Sequence, residues 1–215
     1  MTKYYCELYI KPNTLESGWK IIELLVKLNY RIICIEASNE LYTKLRDKAK
    51  EWGVKTCRRI TLKTTSDSET KRKLKAIRVK YDIVSVQPLG LSAARLAARD
   101  TRVDLIQLTC SSQRYIDRTE LEMIKKNNKI LEIPLKELRN NISNVLFLSK
   151  IRKVLRVVER HDINIAISSA AETDTDVWHP LHIASLLVLF GLSNTKALLT
   201  VTNTPCSLLT KFRGY

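Results

Sequence analysis

Short β-branched runs alternate with longer amphipathic stretches along the whole chain. The runs at 4–10 (YYCELYI), 31–37 (RIICIEA), 55–61 (KTCRRIT), 82–88 (DIVSVQP), 103–109 (VDLIQLT), 129–135 (KILEIPL), 163–169 (INIAISS) and 197–203 (ALLTVTN) predict eight strands. Between them apolar residues recur at spacings of three and four, the period of a helix with one buried face. In 15–29, Ile21, Leu24, Leu25 and Leu28 share that face, and Asn13 or Thr14 stands where an N-cap belongs. The stretch 39–53 has Ser38 or Asn39 at its start and Gly53 as its stop. Residues 142–160 predict a long helix with Val145, Leu148, Ile151, Leu155 and Val158 in one stripe. Pro180 opens another that runs to Gly191.

Eight strand–helix units of about 27 residues each outline an α/β fold, a TIM-like (β/α) barrel. Strands such as RIICIEA and INIAISS are apolar on both faces, as a parallel sheet covered by helices requires. The rival is an open doubly wound sheet, which ordinarily carries a Gly-rich phosphate loop after its first strand. Residues 10–18 (IKPNTLESG) have no such loop, and five Gly in 215 residues leave little material for one elsewhere. No Pro/Gly/Ser-rich linker divides the chain, so residues 1–215 read as a single barrel domain.

Composition narrows the picture. A hydrophobic fraction of 45% argues against disorder. No apolar run approaches the roughly 18–20 residues that span a bilayer, and the start, MTKYYCELYI, lacks the apolar stretch of a signal peptide. Five cysteines (6, 34, 57, 110 and 206) are odd in number, widely scattered and without a CxxC pair. That usage suits a reducing, cytoplasmic interior, with neither a disulfide framework nor a zinc site. The expectation is a soluble domain with no membrane partner.

Charge changes it further. Of a formal net charge of +15, +10 lies between Lys44 and Lys80, where fourteen basic residues face four acidic ones. A second cluster, Lys150 to Arg160, holds five basic residues and one Glu. Such concentration attracts polyanions, nucleic acid above all; the plainer reading is a solvated lysine-rich surface. Aromatics at 7% argue against a single-strand stacking platform and for backbone and shape recognition.

Catalytic chemistry is hard to find. His161 closes a helix. His179 and His182, three apart at a helix start, have Asp174 and Asp176 as the nearest further ligands, and ordinary loop polarity explains all four. The strand carboxylates Glu7, Glu36 and Glu132 either meet across a barrel mouth or sit in hydrogen-bonded core positions; the second is the commoner arrangement. Cys6, Cys34, Cys57 and Cys110 lie in or beside strands, where a thiol acts as a small apolar group. SSAA (168–171) offers hydroxyls to a phosphate or caps a turn. With no Gly-x-Ser-x-Gly elbow and no P-loop, no residue is assigned a catalytic or metal-binding role.

The segment LGLSAARLAARDTRVDLIQL (89–108) stands apart. Arg95, Arg99 and Arg102, at spacings of four and three, fall on one side of a helix whose other side Ala93, Ala94, Ala97 and Ala98 keep slim. Guanidinium groups form bidentate contacts with phosphate or carboxylate, so the row suits RNA backbone or an acidic partner. An internal network with Asp100, Asp104 and backbone carbonyls satisfies it equally.

With its neighbours this segment resembles the ribonuclease P protein component 3 family. The ordered set is YCELYI, KAIRVKYDIVSVQP (75–88), AARLAARDTRVDLI (93–106), LEIPLKEL (131–138), INIAISSAA (163–171), PLHIASLLVLFGL (180–192) and TVTNTP (200–205). Departures exist. Family members carry SSGA where this chain has Ala170 in the Gly position, and a pattern like R-x-P-R-D-L appears here with Trp178, Leu181 and His182 in place of Arg, Arg and Asp. Contacts the family makes through those arginines are therefore not carried over to this chain. The resemblance implies a barrel related to the polymerase-and-histidinol-phosphatase fold, without the paired histidines that open that fold's metal site.

It further implies a protein subunit of ribonuclease P, which removes the 5′ leader from precursor tRNA. Cleavage would lie in the RNA, with magnesium held there, no cofactor on the protein, and this chain inactive alone. Expected partners are the ribonuclease P RNA, component 2 and other protein subunits, and precursor tRNA indirectly. Arg95, Arg99 and Arg102 are the first candidates for RNA contact, with Asp100 orienting its Arg neighbours. Lys71, Arg72, Lys75, Arg78, Lys150, Arg152 and Arg156 follow on charge. A metal-dependent phosphoesterase on the same barrel and a general basic RNA-binding module are the alternatives.

Overall fold

Seven of the eight β-branched runs form strands in the computed structural model, which describes residues 4–213. They are β1 (Tyr5–Ile10), β2 (Tyr30–Ile35), β3 (Lys55–Thr64), β4 (Ile83–Pro88), β5 (Leu105–Gln107), β6 (Ile130–Pro134) and β7 (Ile165–Ser168). All pair in parallel in sequence order, and a parallel bridge from Ile10 to Ala171 brings β7 back to β1, so the sheet curls into a nearly closed barrel. Around it stand α1 (Leu15–Lys27), α2 (Asn39–Glu51), α3 (Asp67–Ile77), α4 (Leu91–Arg99), α5 (Arg118–Lys126), α6 (Leu135–Asn140), α7 (Val145–His161), α8 (Pro180–Leu189), α9 (Asn194–Val201) and α10 (Asn203–Arg213). Among the described residues no helix is long and apolar enough to cross a membrane.

Local chemistry sets the helix starts. The Thr14 hydroxyl accepts from Ser17 N (3.1 Å) while Thr14 N donates to Ser17 Oγ (3.3 Å), a reciprocal cap. Ser38 caps α2, and Gly53 follows its end at φ +69°, the left-handed region a glycine enters without steric cost. Asn144 caps α7 by accepting from Phe147 N (3.1 Å), so the long helix begins at Val145 and not at 142. Its buried stripe is Phe147, Ile151, Val154, Leu155 and Val158; Val145, expected inside, is 76% exposed.

The eighth run is not a strand. Residues 197–203 fall in α9 and the start of α10. Thr200, Val201 and Thr202 carry strand propensity, but Ala197, Thr200 and Val201 are buried at i, i+3 and i+4, a helical face. Ser193 caps that helix by accepting from Lys196 N (3.3 Å). With β1 and β7 already joined, no gap is left for another strand. The chain instead ends in α10, whose Leu208 and Leu209 pack with Cys6, Ile32, Cys57, Ile83, Leu105 and Ile130 and close the N-terminal end of the barrel.

The cysteines also depart from expectation. Cys34 and Cys57 are register partners on β2 and β3 and form a disulfide, with Cα atoms 4.5 Å apart. Cys6 of β1 is bridged to Cys206 of α10, Cα to Cα 5.3 Å, leaving Cys110 as the free thiol. Spacing in sequence carried no trace of either pairing, because the barrel's inward alternation and the α10 plug bring the sulfurs together.

The seam between β7 and β1 is held by side chains as well as backbone. Glu7 accepts from Tyr9 N (2.9 Å) and Ser169 N (3.1 Å), and Ser169 Oγ donates to Tyr9 O (3.1 Å). Burial pushes the Glu7 carboxyl up to about 7 against these donors. Beside the seam Ala170 has φ +50°. A Cβ is disfavoured in that region, so the position favours glycine. Ala170→Gly is expected to raise stability by about 0.5–1 kcal/mol; a urea midpoint at or below that of the parent chain would contradict this.

Candidate nucleic-acid interface

A bulge shapes the barrel interior. Glu7 pairs with Ile33 and Ile10 with Ile35, so β1 has one residue more than β2 between those points. The extra residue lets Tyr9 lie over the Arg59 guanidinium, 3.9 Å from the ring centroid. Arg59, fully buried on β3, donates through Nη1 and Nη2 to Glu132 of β6 at 2.6 and 2.5 Å, and through Nη1 to Leu8 O at 2.7 Å. Glu132 also accepts from Gln107 Nε2 (3.0 Å) and Ser85 Oγ (3.3 Å). Burial alone would raise the Glu132 carboxyl; the Arg59 charge and hydrogen bonds outweigh it and hold the carboxyl below its ordinary value.

The three strand carboxylates therefore do not meet across the mouth. Glu132 is tied to Arg59, Glu7 closes the seam, and Glu36 stands at the rim with Oε1 3.7 Å from Lys11 Nζ. The histidines do not gather ligands either. His179 caps α8, its Nδ1 accepting from Leu181 N (3.2 Å), and its ring lies 5.5 Å from that of His182. Asp176 is engaged by Arg139, Lys136 and the N–H groups of Glu172 and Thr173; against the upward push of burial these hold it at about 2. Among the described residues no group of three or more His, Cys, Asp and Glu stands close enough to hold a metal ion.

The basic residues divide sharply once folded. Arg59 is inside the barrel, and Arg58 lies between the rings of Tyr42 and Tyr81. Lys44 and Lys48 pair with Glu40 and Glu51, and Arg46 with Asp47. On α3, Lys71 makes an exposed pair with Asp67 (3.3 Å), whereas Arg72 and Lys75 are exposed with no ion pair among the described residues. Arg78 is held by Asp104 (2.6 Å), whose Oδ2 also accepts from Val84 N.

The arginine row of 95, 99 and 102 does not present one face. Asp100 leaves the helix with extended backbone (ψ 124°), so α4 stops at Arg99 and Arg102 lies beyond it. Arg95 is held by Asp117 (2.7 Å) and Glu120 (3.1 Å) of the α5 start. Arg102 grips Asp100 through Nε (2.9 Å) and Nη2 (2.7 Å). Arg99 alone of the three is exposed, its Nε donating to Arg95 O (3.1 Å).

On α7, Arg152, Lys153 and Arg156 are exposed and Lys150 is partly covered, its amine lowered first by burial. Packing of α3 on α4, α4 on α5 and α5 on α7 joins these helices into one flank. That flank gathers two residues that charge counting passed over, Lys125 and Lys126 at the end of α5. In sequence Glu120 and Glu122 cancel them. In the fold Glu120 is buried against Arg95, its carboxyl pushed up to about 7 chiefly by burial, so the cancellation is only partial. Trp178 packs against the main core, while Leu181 and His182 are exposed on α8.

Fold and site together define an all-parallel α/β barrel with a polar interior centred on the Arg59–Glu132 pair and a basic helical flank. The family model described as RNase P subunit p30 matches residues 4–213, and the chain belongs to that family. It is similar to Ribonuclease P protein component 3 of Aeropyrum pernix, 26% identical over 197 residues spanning 90% of both chains. It is also similar to Ribonuclease P protein component 3 of Methanothermobacter thermautotrophicus, 24% identical over 169 residues, covering 77% of this chain and 69% of that one. Its fold matches a chain in the cryo-EM structure of archaeal Ribonuclease P with mature tRNA, with a TM-score of 0.77, 19% identity, and coverage of 95% of this chain and 89% of that one.

Proposed function

We propose that this chain is a protein subunit of ribonuclease P and takes part in 5′ maturation of precursor tRNA. Family membership over residues 4–213 is the observation that carries this reading. In it the catalytic step and its magnesium ions belong to the RNA, and this chain binds no cofactor. Its partners are the ribonuclease P RNA, component 2 and the other subunits, with precursor tRNA reached indirectly, in the cytoplasm. The chain's own work is electrostatic. Side chains on the α3–α4–α5–α7 flank neutralise phosphates, which lets a compact RNA form at lower magnesium and makes binding steeply salt-dependent.

Arg72, Lys75, Arg99, Arg152 and Arg156 are the stronger contact residues in this reading, because they are exposed. Lys71 and Lys150 follow, while Arg78, Arg95 and Arg102 position the flank through their carboxylate partners. Reconstitution with the RNA and component 2 should lower the magnesium needed for precursor cleavage. Cleavage indifferent to the protein at every magnesium concentration would defeat the proposal. Replacing Arg72 and Lys75 together by Ala is expected to weaken RNA binding and to reduce the salt slope by about one for each phosphate no longer neutralised, with an unchanged unfolding midpoint. An unchanged slope would remove α3 from the interface.

A further inference from the structure

We propose that the mouth of the barrel binds a single ribonucleotide unit, with Glu36 receiving the ribose 2′-hydroxyl and Lys63 the phosphate. A cavity of about 410 Å³ opens at the C-terminal ends of the strands, a volume suited to a small ligand. It sits above the Arg59–Glu132 pair, with Tyr9 and Gln107 among its lining.

Its chemistry is mixed. Four lysines (Lys11, Lys63, Lys73, Lys136) and three glutamates (Glu36, Glu137, Glu172) line it. Lys136 pairs with Glu172 (2.7 Å), Lys73 pairs with Glu69 (2.7 Å), and Glu137 accepts from Cys110 N (3.0 Å), which leaves Glu36 and Lys63 as the groups open to a ligand. A ligand with hydroxyl donors at one end and a phosphate at the other matches both.

Glu36 is the under-satisfied group. Oε1 has only a loose contact with Lys11, and Oε2 is shut from solvent with no hydrogen-bond partner among the described residues. Buried carboxylate oxygens demand donors, and rotation about the terminal carboxyl bond is soft enough to bring either oxygen to a ligand. A ribose 2′-hydroxyl is a donor such a carboxylate oxygen can take, as acidic side chains do with ribose elsewhere, and it is present in a free ribonucleotide and within an RNA chain alike.

The amides point the same way. Gln87 Nε2 is committed to Thr109 (3.0 Å) and Ser111 (2.7 Å), and Gln107 Nε2 to Glu132 (3.0 Å). Their carbonyl oxygens remain as acceptors for base N–H groups. Lys63 is exposed at the rim with no ion pair among the described residues, and the neighbouring Lys73 belongs to α3. The mouth is thus continuous with the basic flank. RNA as the source of the ribonucleotide rests on the subunit reading; the pocket itself does not.

Titrating the full chain with AMP, dAMP and inorganic phosphate, followed by heteronuclear NMR, tests this. AMP should move the signals of Thr61 and Gln87 and bind about tenfold more tightly than dAMP, which lacks one hydroxyl. Glu36→Gln should erase that preference, and Lys63→Glu should weaken both ligands, each variant keeping the parent urea midpoint. Equal binding of AMP and dAMP, shifts outside the mouth, or no binding of AMP would overturn the site. In the reconstituted complex, 4-thiouridine-substituted RNA should crosslink to mouth peptides. Crosslinks absent beside intact AMP binding would make a free nucleotide the ligand. A chain that binds AMP but no ribonuclease P RNA would defeat the subunit reading alone.

Discussion

Replacing Glu132 by Ala is expected to destabilise the barrel by about 3–5 kcal/mol. The reason is what the substitution leaves behind. Arg59 has 0% side-chain exposure, and Glu132 supplies both of its bidentate contacts. Without that carboxylate the guanidinium keeps only Leu8 O and the Tyr9 ring, a buried charge with no counter-charge in contact. Gln107 and Ser85 lose an acceptor at the same time. A double replacement, Arg59→Met with Glu132→Leu, removes both charges together and should cost much less than the single change. Guanidinium unfolding of the parent, both single variants and the double variant measures the coupling. A double variant whose loss equals the sum of the two single losses would show that the pair is not coupled.

Cys206→Ser is expected to cost about 5 kcal/mol under non-reducing conditions, since the missing bridge joins residues 200 apart in sequence. The physical origin is the unfolded chain, which regains the freedom of nearly its whole length when the link goes. The fold adds a local consequence, because the bridge ties α10 to β1 at the end of the barrel that Leu208 and Leu209 close. Cys34→Ser, which opens a link only 23 residues apart, should cost about 3 kcal/mol. Unfolding with and without dithiothreitol, together with thiol counting by mass spectrometry, checks both. Parent and Cys206→Ser chains should converge once reduced. Equal midpoints in oxidising buffer would mean the bridge contributes nothing.

Element types were legible where period and cap agreed. The spacing of Ile21 and Leu25, the cap at Thr14 and the stop at Gly53 all sit where local chemistry alone places them. The run 197–203 failed because β-branched Thr200 and Val201 satisfy strand propensity and helical spacing at once. Only the joining of β1 to β7 decides between them. The candidate interface was less legible for a different reason. Arg95 and Arg102 are as basic in sequence as Arg72 and Lys75, yet Asp117, Glu120 and Asp100 occupy them in the fold. Charge counting cannot tell a solvated cation from one already partnered, because the partner lies up to 25 positions away.

By itself the sequence determined the alternation of strands and helices, the parallel barrel class, the basic balance and the family likeness. Each of these is written in periods and composition that survive without knowledge of distant contacts. Tertiary structure alone decided the closure at seven strands, the two cysteine pairings, the Arg59–Glu132 centre and which basic residues remain exposed. All of those depend on residues far apart in the chain meeting in space, and on burial removing their alternatives.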